Sequence, residues 1–264
     1  MLNLEYTLEC VKQWAITAGD YQLSHFRVSD FDVAVKLNES DIVTSVDKQT
    51  ETIIINCIRK EFSDHDILSE ESGESIQGRS DYLWVIDPLD GTTNYSTGLP
   101  IFAVSIALKY KGVTQLGVVY APRLGEMFAA IRGKGAELNG KAINCKTNTY
   151  MSRAVVSTGF PIDKNQNPDN NMDNLARILP LVRGVRRLGS AAIDICYVAA
   201  GVLDGYWELN LHEWDVAAAL LIAEESGARY SYFRQDRGVS VAVASDGIFD
   251  ELMKSLSDRP YENE

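Results

Sequence analysis

Apolar residues recur at helical spacing at the start of the chain. Leu4, Leu8, Val11, Ala15 and Ala18 fall on one face and predict an amphipathic helix ending near Gly19 or soon after. Ile54, Cys57, Ile58 and Phe62 predict a second helix with Asp47 near its start, after a mixed, polar stretch (33–46) that carries Lys36, Asn38, Asp41 and Thr44. Residues 66–68 read as a short strand leading into Ser69, Glu70, Glu71, Ser72 and Gly73. Residues 82–86 are apolar, aromatic or β-branched without polar alternation, the pattern of a buried strand, and this strand is expected to stop at Asp87. Two β-rich runs, 102–110 and 113–120, meet across Lys111 and Gly112 as a hairpin, and 127–131 offers another strand.

The pattern changes beyond that point. Residues 133–144 hold turn residues and a new strand starts over 153–157, so a boundary between halves is expected near position 145. Residues 165–174 are rich in Asn and Asp and read as an exposed loop feeding a helix through Met172, Leu175, Ile178 and Leu179. Strand, helix, strand, helix then follow over 185–188, 190–200, 203–209 and 214–227, the order of a layered α/β half. A last helix runs through Ile248, Leu252 and Leu256, and the polar tail 257–264 reads as frayed.

Composition narrows the classes. A chain of 264 residues with 45% hydrophobic positions can bury a substantial core, as one large domain over 1–264 or as two tightly joined halves, 1–145 and 146–264. The net charge of −12 disfavours nucleic acid and anionic membrane as partners. Cys10, Cys57, Cys145 and Cys196 form no CxxC pair, so neither a zinc site nor a disulfide framework is suggested. The first 20 residues lack the basic start and continuous apolar core of a signal peptide, and no stretch is apolar enough to span a bilayer, so a cytoplasmic protein is expected.

The candidate chemistry gathers where the 82–86 strand ends. Pro88 biases Asp87 toward an extended conformation, so Asp87 stands at a strand's carboxyl end, where open α/β sheets bind ligands, and Asp90 lies just beyond. Gly91 lets a backbone approach an anion, and Thr92, Thr93 and Asn94 suit a helix start whose free N–H groups would receive a phosphate. Two carboxylates this close repel unless a cation sits between them, and hard oxygen ligands suit magnesium or manganese. The same dipeptides also punctuate ordinary surface turns. Taken singly, Asp47 and Asp215 are first-turn acids favoured by a helix dipole, Glu70 and Glu71 are solvated loop acids, Ser190 is a helix cap and Glu208 is a charge at a strand end.

Together these residues resemble a known family. Asp87, Pro88, Leu89, Asp90, Gly91, Thr92 and Asn94 match the inositol monophosphatase signature Asp-Pro-[hydrophobic]-Asp-Gly-Thr-x-Asn without exception. Glu70, Glu71 and Ser72 match its Glu-Glu-Ser step, Gly189, Ser190 and Ala191 its Gly-Ser/Thr-Ala segment, and Trp214, Asp215 and Ala217 its second signature. The resemblance implies an α/β/α/β/α sugar-phosphatase sandwich, an α/β fold with α+β layering. It implies that Glu70, Asp87 and the Leu89 carbonyl hold a first magnesium and Asp87, Asp90 and Asp215 a second, with a third, weaker ion near Glu70. It assigns Glu70 and Thr92 to the attacking water, with Asp47 hydrogen-bonding Thr92, and the phosphate to the backbone of Gly91 and Thr92. Asp90, Gly189, Ser190, Ala191 and Glu208 would face the substrate.

The implied reaction is hydrolysis of inositol monophosphate by direct attack of water, without a phosphoenzyme and without a cysteine nucleophile. Broader activity on fructose 1,6-bisphosphate, NADP, histidinol phosphate or adenosine bisphosphate is the alternative, although Thr93, Asn94 and Tyr95 differ from the Lys-Glu-Phe of relatives acting on adenosine bisphosphates. A non-catalytic phosphosugar-sensing or protein-binding module is a further reading, against which the retained acids speak. Lithium inhibition and a homodimer are also implied.

Overall fold

The computed structural model describes residues 2–28, 33–35, 42–74, 80–147 and 150–256. The chain opens with α1 (Leu4–His25), followed by an antiparallel pair, β1 (Val33–Val35) and β2 (Ile42–Thr44), and by α2 (Ser45–Glu61). Eight strands then build one sheet: β3 (Asp66–Ser69), β4 (Gly73–Glu74), β5 (Tyr82–Asp90), β6 (Ala103–Tyr110), β7 (Val113–Ala121), β8 (Glu126–Ile131), β9 (Ala136–Leu138) and β10 (Lys141–Ile143). Their spatial order is β10-β9-β8-β7-β6-β5-β3-β4, and the short α3 (Thr92–Thr97) lies between β5 and β6. The second sheet has the order β12-β11-β13-β15-β14, from β11 (Val155–Thr158), β12 (Gly184–Arg186), β13 (Gly205–Leu211), β14 (Arg229–Arg234) and β15 (Val239–Ala244). Four helices accompany it: α4 (Met172–Ile178), α5 (Ala191–Ala199), α6 (Glu213–Glu225) and α7 (Asp246–Ser255).

Strand periodicity explains the layering. Successive side chains of a strand point to opposite faces, so Trp84 and Ile86 join Leu8, Val11, Ile54 and Ile58 of α1 and α2, while Val85 between them joins α5 and α6 on the other side. Tyr206, Val241 and Val243 of the second sheet close over that same α5–α6 layer. Trp207, Leu209, Ala242 and Ala244 face outward onto Ile178, Ile248, Phe249 and Leu252 of α4 and α7. The result is a five-layer α/β/α/β/α arrangement, as expected.

Several boundaries differ from the sequence reading, each for a physical reason. Helix α1 runs on to His25, because Gly19 is a packing position and not a stop: a Cβ there would lie 2.6 Å from the Tyr120 ring. Strand β5 does not stop at Asp87 but continues to Asp90. Pairing shifts between Asp87↔Ser105 and Asp90↔Ala103, a bulge that accommodates Pro88, which has no N–H to offer the ladder. Residues 133–144 contain β9 and β10, turned at Asn139 and Gly140, both with positive φ. Strands β14 and β15 were not foreseen.

Nor is 165–174 simply an exposed loop, since Asp169, Asn171 and Asn174 are buried. Asn171 donates to Thr158 Oγ1 (2.9 Å) and to Gly159 O (2.7 Å) and accepts from Trp207 Nε1 (3.0 Å), and Asp169 pairs with Arg234 at 2.7 Å. These partners satisfy polar groups that burial would otherwise penalise. The cysteines are free, with Cys196 buried. Among the described residues no helix is long and apolar enough to cross a membrane. Lys36, Asn38, Asp41 and the tail 257–264 lie outside the described residues.

Candidate active site

Strands β3 and β5 run parallel with Ser69 opposite Ile86, so the residues that follow, Glu70 just beyond β3 and Asp87 within β5, emerge side by side. The Glu70 N–H donates to Ile86 O at 3.3 Å, which fastens the two ends together. Asp87 is 2% exposed and its Oδ1 accepts from Leu89 N–H at 3.0 Å, a local turn that orients the carboxylate across the bulge. Gly91 takes φ +93°, and a Cβ there would lie 2.9 Å from Ile101 O, so glycine is required both for the turn and for the close approach.

Thr92 opens α3. Its Oγ1 lies 2.9 Å from Asp47 Oδ1 and 3.0 Å from Leu89 O, and one hydroxyl proton serves these two acceptors. Asp47 is itself the third residue of α2 in a capping box: its Oδ2 accepts from Thr44 N–H (2.8 Å) and Thr44 Oγ1 (2.5 Å). Helix capping and the link to Thr92 therefore use different oxygens of one carboxylate. Farther along α2, Glu51 Oε1 accepts from the N–H groups of Glu71 and Ser72, each at 3.1 Å.

The second half supplies the opposite wall. Asp90 Oδ2 accepts from Ser190 Oγ (2.6 Å) and Ala192 N–H (2.8 Å), so it caps α5 across a separation of about a hundred residues. Asp215, third residue of α6, accepts from His212 N–H at 2.7 Å. Glu208, not at a strand end but in the middle of β13, where the pairing with β15 shifts, accepts from Tyr206 O–H at 2.6 Å. It sits against Gly159, where a Cβ would lie 2.0 Å from both carboxylate oxygens. Glu70, Asp90, Gly91, Thr92, Gly189 and Ser190 line one open cleft of about 190 Å³, together with Ala191, Glu208 and Asp215, while Asp47, Asp87 and Leu89 are buried.

The electrostatics of this cleft ask for a cation. Burial first, then the charges of Glu70, Asp90 and Asp215 and a hydrogen bond with Glu70, push the Asp87 carboxyl well above the usual carboxylate range. Asp90 is pushed up to about 7, mainly by burial, with Asp215 and Glu208 adding to it and the bonds from Ser190 and Ala192 opposing it. Glu208 is also raised to about 7, by burial and by Asp215, against the Tyr206 hydrogen bond and Arg187. Burial raises Asp47 as well. Asp87, raised by burial and by the neighbouring charges of Glu70, Asp90 and Asp215, stands in a group of hard oxygen donors that fits a hard divalent ion. Among the described residues no three His, Cys, Asp or Glu side chains already stand at a metal-holding spacing. Asp90 and Asp215 each commit one oxygen to a helix cap.

Gly159, Phe160, Lys164, Arg187 and Asp194 also line the cleft and were missed by sequence reasoning, as was Glu51. Asp194 carried a usable signal, since it lies four residues after the cap Ser190 and so on the same side of α5. Gly159 carried none, because the need for glycine arises from Glu208, on a neighbouring strand.

Comparison with known proteins identifies relatives of the whole fold. A family model described as the inositol monophosphatase family matches residues 3–257. The chain is 42% identical over 216 residues to the Nus factor SuhB of Salmonella typhimurium, covering 82% of this chain and 81% of that one. It is similar to the solved inositol monophosphatase from Anabaena (TM-score 0.86, 35% identity, 96% of each chain). The extragenic suppressor protein suhB from Bartonella henselae is likewise similar (TM-score 0.88, 34% identity, 95% of this chain and 98% of that one). Matching motifs, layer order and near full-length coverage lead to one conclusion: the chain belongs to the inositol monophosphatase family and has its phosphatase fold.

Proposed function

We propose that this protein is a magnesium-dependent phosphomonoesterase that hydrolyses inositol monophosphate, myo-inositol 1-phosphate above all, to inositol and phosphate. The observation that carries the reading is the meeting of Glu70, Asp90 and Asp215 with Thr92 in one cleft, above buried Asp87. Glu70, Asp87, the Leu89 carbonyl, Asp90 and Asp215 would hold two to three magnesium ions, for which manganese could substitute. Magnesium, when bound, would supply Lewis-acid charge to the reaction.

The remaining work falls to the chain's own groups. Asp47, fixed by Thr44, accepts the Thr92 hydroxyl proton, which leaves the Thr92 oxygen to receive a hydrogen bond from the attacking water. As the water oxygen bonds to phosphorus Glu70 takes up its proton, the bond from phosphorus to the ester oxygen breaks, and solvent in the open cleft protonates the departing inositol oxygen. The N–H groups of Gly91 and Thr92 face the phosphate oxygens and align the ester for direct displacement. Gly189, Ser190 and Ala191 border the polyol, and Asp90 and Glu208 accept its hydroxyl hydrogens.

The proposal includes lithium inhibition and a homodimer in the cytoplasm, each chain folding as one unit with a small phosphate ester as its partner. The test is phosphate release with magnesium, with and without excess chelator, across inositol 1-phosphate, fructose 1,6-bisphosphate, NADP, histidinol phosphate and adenosine bisphosphate. Turnover led by another ester replaces inositol phosphate with the broader phosphatase reading. A second reading is a partner-binding role of the kind the name Nus factor gives to the similar proteins. It takes first place if no ester in the panel is hydrolysed at saturating magnesium.

A further inference from the structure

We propose that Glu51 is a positioning residue for Glu70, and that α2 is the common support that sets Glu70 relative to Thr92. The inference rests on the roles given to those two residues above. Glu51 is 6% exposed, and its Oε1 receives the two backbone N–H groups that directly follow Glu70, those of Glu71 and Ser72. Glu70's own N–H is tied to Ile86 O, so the turn that presents the Glu70 side chain is fastened to β5 on one side and to α2 on the other.

Asp47 lies one helical turn earlier than Glu51, and residues four apart share a helix face, about 6 Å along the axis. One buried carboxylate of this face holds the Thr92 hydroxyl and the other holds the Glu70 turn. Glu70 and Thr92, 22 positions apart in sequence (92 − 70), are thereby referenced to one rigid rod.

The choice of a buried acid at position 51 also needs a cause. Asp47 benefits from the helix N-terminus, but Glu51 lies in the second turn, where the dipole no longer favours an anion. Burying a carboxylate is costly unless strong donors meet it, and here the donors are the two amides behind Glu70.

The test compares three variants with the wild type. Glu51→Gln keeps a carbonyl acceptor, Glu51→Met keeps the volume but removes the acceptor, and Glu51→Asp is one methylene too short to reach both amides. Magnesium binding without substrate is measured by titration calorimetry, alongside phosphate release against magnesium and thermal melting. Glu51→Gln is expected within about twofold of wild type, while Glu51→Met loses about tenfold in magnesium affinity at a temperature where it is fully folded. Glu51→Asp carries the same expected loss and decides the matter if the Met variant does not fold.

A variant without the acceptor that melts lower, yet keeps wild-type magnesium affinity and turnover, overturns the inference and makes Glu51 a structural cap only. A wild-type protein that binds no magnesium and releases no phosphate overturns the reading of the whole site, and this inference with it.

Discussion

The two ends of the cleft are built in opposite ways. At the end proposed for the phosphate, Asp87, Leu89, Asp90, Gly91 and Thr92 come from one stretch of six residues, and their geometry is set by a bulge, a left-handed glycine and a helix start. At the end proposed for the polyol, Glu208 is shaped by Gly159, just beyond β11, and by Tyr206 of its own strand, with Asp194 and Arg187 arriving from either side of Gly189. Local geometry makes the first end a chemical device that a short motif can specify. The second end depends on the packing of β11 against β13, so substrate preference can change while the motif stays fixed.

The sharpest way to separate the ends is to remove charge from the first. Asp87→Asn or Asp215→Asn is expected to lower magnesium-dependent phosphate release by about a hundredfold or more on every ester, with a melting temperature at or above wild type because like-charge repulsion is relieved. Steady-state phosphate assays and calorimetry check this. Activity retained in either variant would remove the metal assignment.

At the other end the effect is expected to be smaller and selective. Glu208→Gln should cost roughly tenfold in kcat/KM on inositol 1-phosphate and much less on a simple aryl phosphate. Equal losses on the two substrates would break the contrast between the ends.

Gly159→Ala asks the same question without touching the carboxylate. Its Cβ would occupy the space of both Glu208 oxygens, so Glu208 must turn away or the strand must shift, at about 1–3 kcal/mol. The substrate profile should then follow that of Glu208→Gln, with a lower melting temperature. A full-rate variant with unchanged selectivity shows that the position of Glu208 is not critical.

The smallest effect is on stability. Asp90 and Glu208, both raised to about 7 from ordinary values of 3.8 and 4.5, hold protons more tightly folded than unfolded. Their contribution is complete at low pH and is lost as pH rises from about 4 through about 7, with no further change above. In chelator the melting temperature is therefore expected to be higher near pH 5.5 than near pH 8, and magnesium should narrow the gap. Melting that rises across this range in chelator contradicts the assignment.

What could be read from the sequence follows the same division. The turn after β5 was legible because Pro88 and Gly91 act on the backbone locally, and the buried run before it predicted the strand that carries it. The end of that strand was misplaced because the bulge is decided by β6, across the ladder. Gly19 looked like a helix stop because its reason for being glycine is the Tyr120 ring, about a hundred residues away. The Asn- and Asp-rich 165–174 stretch looked solvated because its partners, Thr158, Trp207 and Arg234, are distant in sequence. Glu51 was invisible for a related reason: its partners are two backbone N–H groups, and those carry no side-chain signature.

Asn94 ties the two halves together with a single side chain. Its buried amide nitrogen donates to Ile101 O at 2.8 Å and to Leu188 O at 2.7 Å, one proton to each side of the molecule. If the chain were severed between β10 and β11, the first fragment would keep every proposed ligand but Asp215, and the second would keep Gly189, Ser190 and Glu208. Neither piece would have a floor and a roof at once. The proposed hydrolysis would then become a concentration-dependent property of the mixture, and the amide of Asn94 would report, by its protection from solvent exchange, that the fragments had found each other.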